Sequence, residues 1–116
     1  MSDLTIYHNP RCSKSRQTLE LIRGKGVEPE IVLYLEDVPA AEDIQDALQM
    51  LGMKPMDLIR KSEAEFKEHF AGADELTDEQ LIDLIRLYPK VIERPIVVNK
   101  GRAVIGRPPE NVLGVL

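Results

Sequence analysis

A single cysteine is the residue in this sequence best suited to nucleophilic chemistry. Cys12 lies where a strand-like segment gives way to a helical one, and the unpaired N–H groups of a helix N-terminus stabilise an anion. Three nearby cations, Arg11, Lys14 and Arg16, add positive charge, and the Ser15 hydroxyl is able to donate to the sulfur. Because these groups favour the charged form, we predict a reactive thiolate rather than a buried apolar thiol.

The same helix start is suited to binding a small oxyanion. First-turn N–H groups converge on one point, where a tetrahedral anion accepts their hydrogen bonds. His8 precedes Cys12 by four residues; it either tunes the thiolate or hydrogen-bonds the loop, and we favour the second role. His69 has no such context and is predicted to lie on the surface. With one cysteine and two histidines, we expect no internal disulfide, no metal site and no bound organic cofactor.

Length and composition indicate one folded domain spanning residues 1–116, because 43% of the residues are hydrophobic and 30% are charged. The net charge of -5 argues against nucleic acid or an anionic membrane as the main partner. No apolar stretch is long enough to cross a membrane, and the first residues lack the basic and apolar regions of a signal peptide. We therefore expect a cytoplasmic protein, and a monomer, since no large apolar stripe indicates a dimer.

Two short strands are predicted on either side of the helix that carries Cys12 at its start. Residues 4–7 and the continuously apolar residues 31–34 read as the strands, and we expect the second to be buried on both faces of a sheet. Residues 13–25 read as the helix, which ends near two glycines. A strand, helix and strand in this order indicate a parallel crossover.

A helical insertion is predicted at about residues 38–90. Apolar residues recur with helical spacing before Gly52, and Pro55 suits the first turn of a short helix. Two pairs have the spacing of a capping box, Ser62 with Glu65 and Thr77 with Gln80.

After the insertion the pattern becomes extended. Residues 96–98 and 103–105 read as two strands of a hairpin, and Pro108 and Pro109 begin a last short helix. The predicted order is therefore βαβ, helical insertion, ββα. Pro95 suits the first position of its strand, and the residues alone favour a trans Arg94–Pro95 bond, because cis X-Pro bonds are only about 5 to 6% of those in folded proteins.

Three segments together resemble one known family. They occur in order along nearly the whole chain: YHNPRC at 7–12 with Ser15 and Arg16 after it, ERPIVV at 93–98, and GRP at 106–108. In these segments the sequence resembles the ArsC family of glutaredoxin-linked arsenate reductases, and most closely its short YfgD-like subgroup. The resemblance implies an α/β, thioredoxin-like fold with a mixed four-stranded sheet and an inserted helical subdomain. It also implies a cis bond before Pro95.

The resemblance further implies an activity and a set of site residues. Cys12 would be the catalytic nucleophile, His8 and Ser15 would lie beside its sulfur, and three arginines would bind the oxyanion: Arg60, Arg94 and Arg107. Guanidinium groups suit that role because they donate two parallel N–H groups and keep their charge. The implied reaction converts arsenate to arsenite through a Cys12 adduct, with glutathione as co-substrate and glutaredoxin as protein partner.

Two other functions remain open on the sequence alone. The chain could be a general glutathione-dependent thiol oxidoreductase, for which arsenate is incidental. It could also be a non-catalytic, Spx-like regulator that binds RNA polymerase. Those regulators often carry a second cysteine three residues after the first, and this chain has Ser15 at that position.

Overall fold

The computed structural model describes residues 4–116, and these residues form two compact units. The first unit comprises the described chain up to Asp37 together with Arg94–Leu116, and the second is Val38–Glu93. The predicted absence of a signal peptide concerns in part residues 1–3, which lie outside the described residues. Within residues 4–116, no helix has the length and apolar character that crossing a bilayer requires.

The first unit contains the sheet and the helix that follows Cys12. Its described strands are β1 (Leu4–Tyr7), β2 (Glu30–Val32), β3 (Ile96–Asn99) and β4 (Arg102–Ile105). Its α-helix is α1 (Ser13–Gly24), and a 3₁₀ helix spans Pro109–Val115.

The sheet has the strand order β2-β1-β3-β4. β1 pairs in parallel with β2, whereas β3 runs antiparallel to both β1 and β4. The mixed four-stranded sheet was therefore correctly predicted for the described chain. The prediction that the second strand is buried on both faces is wrong, since β2 lies at the sheet edge and Ile31 is 37% exposed. An apolar run does not by itself distinguish a central strand from an edge strand.

A two-residue turn joins β3 to β4. Asn99 pairs with Arg102 across the hairpin, and both turn residues, Lys100 and Gly101, have positive φ angles of 51° and 79°. Positive φ at both central residues matches the right-handed twist of the flanking strands. The turn returns the chain along the sheet, so that the segment after β4 lies beside the start of β3, where the Gly106 N–H donates to the Pro95 carbonyl at 2.9 Å.

One apolar core holds α1 against the sheet and the last 3₁₀ helix. Its fully buried members come from all three layers: Ile6 on β1, Ile22 on α1, Val97 on β3 and Val112 on the 3₁₀ helix. Burying an aliphatic side chain of this size contributes about 1.5 to 3 kcal/mol. The orientation of α1, and with it the position of its N-terminus at the end of β1, is fixed by this core.

The second unit consists of short helices. Its α-helices are α2 (Ala41–Leu51), α3 (Ala64–His69) and α4 (Asp78–Leu87), and its 3₁₀ helices are Pro55–Leu58, Ala73–Glu75 and Pro89–Val91. α2 packs against α4 through apolar residues that both helices bury.

The helix signals in this unit were only partly correct. Thr77 and Gln80 form the predicted capping box, in which Thr77 Oγ1 accepts from the Gln80 N–H at 3.1 Å and Gln80 Oε1 accepts from the Thr77 N–H at 3.0 Å. The pair of Ser62 and Glu65 does not form one, because α3 begins one residue later, with Glu63 at its N-cap. His69 is exposed as predicted, and its ring stacks on Tyr88 at 4.0 Å.

Candidate active site

Cys12 is the N-cap residue of α1, with an extended backbone (φ -92°, ψ 122°). Its N–H donates to the Asn9 carbonyl at 3.0 Å, and its carbonyl accepts from the Arg16 N–H at 3.0 Å as the first turn begins. The Asn9 side chain accepts from the Arg11 N–H at 3.0 Å, which makes an Asx-type turn. These bonds place a half-buried sulfur at the end of β1 and the start of α1.

Electrostatics at this position favour the thiolate. Burial alone raises the pKa of Cys12, but the backbone N–H groups of Ser15 and Lys14, the charge of Arg107 and a hydrogen bond from Arg94 lower it, and together they hold the pKa below the ordinary value of 9.0. The first turn of α1 contains no acidic side chain that would compete for these N–H groups. The sequence-based prediction of a lowered thiol pKa agrees with this geometry.

Two arginines that are distant from Cys12 in the sequence lie close to its sulfur. Arg107 Nη2 lies 3.7 Å from Cys12 Sγ, while Arg107 Nε donates to the Arg94 carbonyl at 3.0 Å. Arg94 is 8% exposed and precedes β3. Both arginines are followed by proline, and both X-Pro bonds, Arg94–Pro95 and Arg107–Pro108, are cis. The first is cis, as the family resemblance implies, so the trans bond that the residues alone favour is wrong; the second cis bond was not predicted.

Gly106 brings the chain close to α1 just before Arg107. A β-carbon on Gly106 would lie 2.5 Å from Thr18 Oγ1 and 2.9 Å from Pro95 Cγ. No side chain fits there without displacement of a neighbour, so glycine is required by close approach. This contact limits how far the backbone that carries the Arg107 side chain lies from α1.

Two buried polar side chains, one just after β1 and one in the first turn of α1, form a short network. His8 Nδ1 and Ser15 Oγ lie 2.6 Å apart, and the Asn9 N–H donates to the same oxygen at 3.1 Å. Burial lowers the pKa of His8, with smaller contributions from the charges of Arg23 and Arg16. Burial thus favours the neutral imidazole of His8, and its hydrogen bond with Ser15 ties β1 to the first turn of α1.

Arg60, the remaining predicted site residue, lies in the second unit. Its N–H donates to the Val91 carbonyl at 2.7 Å. Its guanidinium is 3.4 Å from a Glu93 oxygen and 3.7 Å from a Glu63 oxygen, and its side chain is 23% exposed. Within this unit Arg60 is thus held between two carboxylates.

The first unit therefore brings together most of the predicted site: His8, Cys12, Ser15, Arg94 and Arg107. Sequence reasoning missed three residues that shape it, Asn9, Thr18 and Gly106. Asn9 carried a usable signal, since asparagine before a helix start commonly closes such a loop. Thr18 carried none, because its contact with Gly106 joins residues that are 88 positions apart. Among the described residues, no cluster of three or more His, Cys, Asp or Glu side chains could hold a metal ion.

A half-buried thiolate beside two guanidinium groups and a helix N-terminus can do two things. It can attack an electrophilic centre, and its surroundings can stabilise negative charge that develops on oxygen atoms bound to that centre. The site is therefore chemically suited to a small oxyanion.

Comparison with known proteins agrees with this chemistry. The profile of the ArsC family matches residues 7–115. The chain is 51% identical over 112 residues to the Escherichia coli (strain K12) protein named Uncharacterized protein YfgD, which covers 96% of this chain and 94% of that protein. It is 42% identical over 116 residues to an arsenate reductase of Escherichia coli, covering 100% of this chain and 82% of that protein.

A solved structure has the same fold. The arsenate reductase from Vibrio cholerae superposes with a TM-score of 0.92 at 44% identity, over 97% of each chain. The predicted thioredoxin-like α/β fold is thereby confirmed.

Proposed function

Because the chain belongs to the ArsC family, we propose that it reduces arsenate to arsenite with Cys12 as the nucleophile. The observation that carries this proposal is the Cys12 sulfur 3.7 Å from Arg107 Nη2, at the N-terminus of α1. An arsenate that enters this site meets N–H and guanidinium donors on the side from which the thiolate attacks. These donors offset the repulsion between the negative charge of arsenate and the anionic sulfur.

The first proposed step is formation of a covalent adduct. The Cys12 thiolate attacks arsenic and a sulfur–arsenic bond forms, while the bond from arsenic to a hydroxyl of arsenate breaks and that hydroxyl takes up one proton from solvent and leaves as water. Arsenic remains pentavalent in this step. Arg94, Arg107 and the first-turn N–H groups of α1 stabilise charge on the other oxygens.

The second proposed step is the reduction. The thiolate of glutathione bonds to Cys12 Sγ, the electron pair of the sulfur–arsenic bond passes to arsenic, and trivalent arsenite leaves. Glutaredoxin then attacks the glutathione sulfur of the resulting mixed disulfide and returns Cys12 as a thiolate. The cysteine content supports an external reductant, because Cys12 is the only cysteine in the sequence and cannot be resolved internally.

A coupled assay tests the proposal. With arsenate, glutathione and glutaredoxin all present, we expect arsenite formation by the wild type and none by Cys12→Ser. Omitting glutathione or glutaredoxin in turn tests the two proposed thiol partners separately. Absence of arsenite from the complete wild-type reaction would rule out arsenate reduction, and turnover of glutathione mixed disulfides in the same preparation would instead identify a general thiol oxidoreductase.

A further inference from the structure

A buried threonine connects the helix that carries Cys12 with the segment that carries Arg107. Thr18 lies on α1 and has no exposed surface. Its hydroxyl donates to the Lys14 carbonyl at 2.8 Å and lies 3.4 Å from the Gly106 carbonyl. Neither the proposed reaction nor the helix itself requires a hydroxyl at this position, since an apolar residue would fill the same layer.

The partner of Thr18 is a backbone segment with little room to move. Gly106 is packed between Thr18 and Pro95 so closely that a β-carbon would overlap both side chains. Its N–H donates to the Pro95 carbonyl at 2.9 Å. Thr18 therefore forms one wall of the slot through which the chain passes immediately before Arg107.

The position of Arg107 follows from this slot. Arg107 directly follows Gly106 in the chain. Its Nε donates to the Arg94 carbonyl at 3.0 Å, and its Nη2 lies 3.7 Å from Cys12 Sγ. Cys12 and Thr18 lie on the same helix or at its cap. A shift of Gly106 relative to Thr18 therefore changes the separation of guanidinium and sulfur directly.

We propose that Thr18 is a positioning residue, which sets the distance between the Arg107 guanidinium and the Cys12 sulfur through its contact with Gly106. The consequence for arsenate binding rests on the proposed function. The consequence for the reactivity of Cys12 does not, because it can be measured in the absence of any oxyanion.

The test compares Thr18→Val, which keeps the shape but replaces the hydroxyl by a methyl group, with Thr18→Ser, which keeps the hydroxyl. We expect Thr18→Val to slow alkylation of Cys12 by iodoacetamide about twofold, because a displaced guanidinium keeps part of its attraction for the thiolate, and Thr18→Ser to restore most of the rate. Thr5→Val, the same change on β1, serves as the matched control and is expected to leave the rate unchanged.

A double-mutant cycle distinguishes positioning from a general structural role. In an Arg107→Gln background, Thr18→Val is expected to have no further effect on alkylation, because the group through which Thr18 acts is gone. An equal effect in both backgrounds, or a wild-type rate in Thr18→Val, would overturn the proposal. If the valine variant does not fold, Thr18→Ala enters the same cycle with the same two outcomes.

The KM for arsenate provides a second readout in the wild-type background. Thr18→Val is expected to raise KM more than it lowers kcat, since a displaced guanidinium binds the oxyanion less well. Failure of the wild type to turn over arsenate would remove this readout and refute the proposed function, while the alkylation cycle would still decide the role of Thr18.

Discussion

Replacement of Arg107 by glutamine is predicted to make Cys12 a slower nucleophile. The guanidinium lies 3.7 Å from the sulfur, and at that separation two unit charges attract by about 1 kcal/mol in water and about 4 kcal/mol at an effective dielectric constant near 20. Because the sulfur is only half-buried, the lower value applies. It corresponds to about a sixfold loss of thiolate at a pH below the pKa of the wild-type thiol.

The assay is the rate of alkylation by iodoacetamide, followed by intact mass at several pH values. Arg102→Gln is the matched control, because Arg102 lies on β4 and is exposed. Its Nη1 contacts only a backbone carbonyl, that of Gly114 at 3.4 Å, among the hydrogen bonds described for it. An unchanged alkylation rate in Arg107→Gln, or an equal loss of rate in Arg102→Gln, would refute the claim that the Arg107 guanidinium stabilises the thiolate.

Three further predictions concern the surroundings of the sulfur. Ser15→Ala is expected to lower the free energy of unfolding by about 1 to 3 kcal/mol, because His8 Nδ1 and a buried N–H lose their partner; equilibrium denaturation measures this. Relative to Cys12→Ser, the wild type is expected to gain stability as pH rises from the folded-state pKa of Cys12 towards 9.0, since the unfolded chain binds more protons over that interval; denaturation at several pH values measures the difference. Arg94→Ala is expected to raise KM for arsenate at least tenfold, as loss of a charged hydrogen bond predicts, with a smaller effect on stability.

Each of these predictions has a distinct contrary result. A Ser15→Ala protein as stable as the wild type would show that the buried network contributes no free energy. Parallel stability curves for the wild type and Cys12→Ser would mean that the thiol pKa is the same in the folded and unfolded states. Equal losses of folding free energy and of transition-state stabilisation in Arg94→Ala would make that arginine a structural residue.

The order of elements was predictable because hydrophobic periodicity is a local property. The helix after Cys12, the hairpin after Pro95 and the capping box at Thr77 all depend on residues a few positions apart. The edge position of β2 was not predictable in this way. It depends on which strands pair with β1, and that is decided by the packing of the whole first unit.

The residues of the candidate site also differ in whether local sequence identifies them. Cys12 could be identified from its own neighbours, since the helix start and adjacent cations are encoded next to it. The arginines could not, because Arg107 meets the sulfur across 95 positions of sequence, and only the family resemblance separated it from exposed arginines such as Arg86 and Arg102. Arg60 was likewise chosen by resemblance, and its pairing with two carboxylates had no sequence signal.

The most direct test of the central claim is a titration of Cys12 by ultraviolet thiolate absorbance, repeated in the presence of arsenate, with alkylation protection measured alongside. We expect the thiol to ionise below its ordinary pKa of 9.0 and arsenate to protect it from alkylation in the wild type. A thiol that stays protonated up to its ordinary pKa and is alkylated equally fast with and without arsenate would contradict the account.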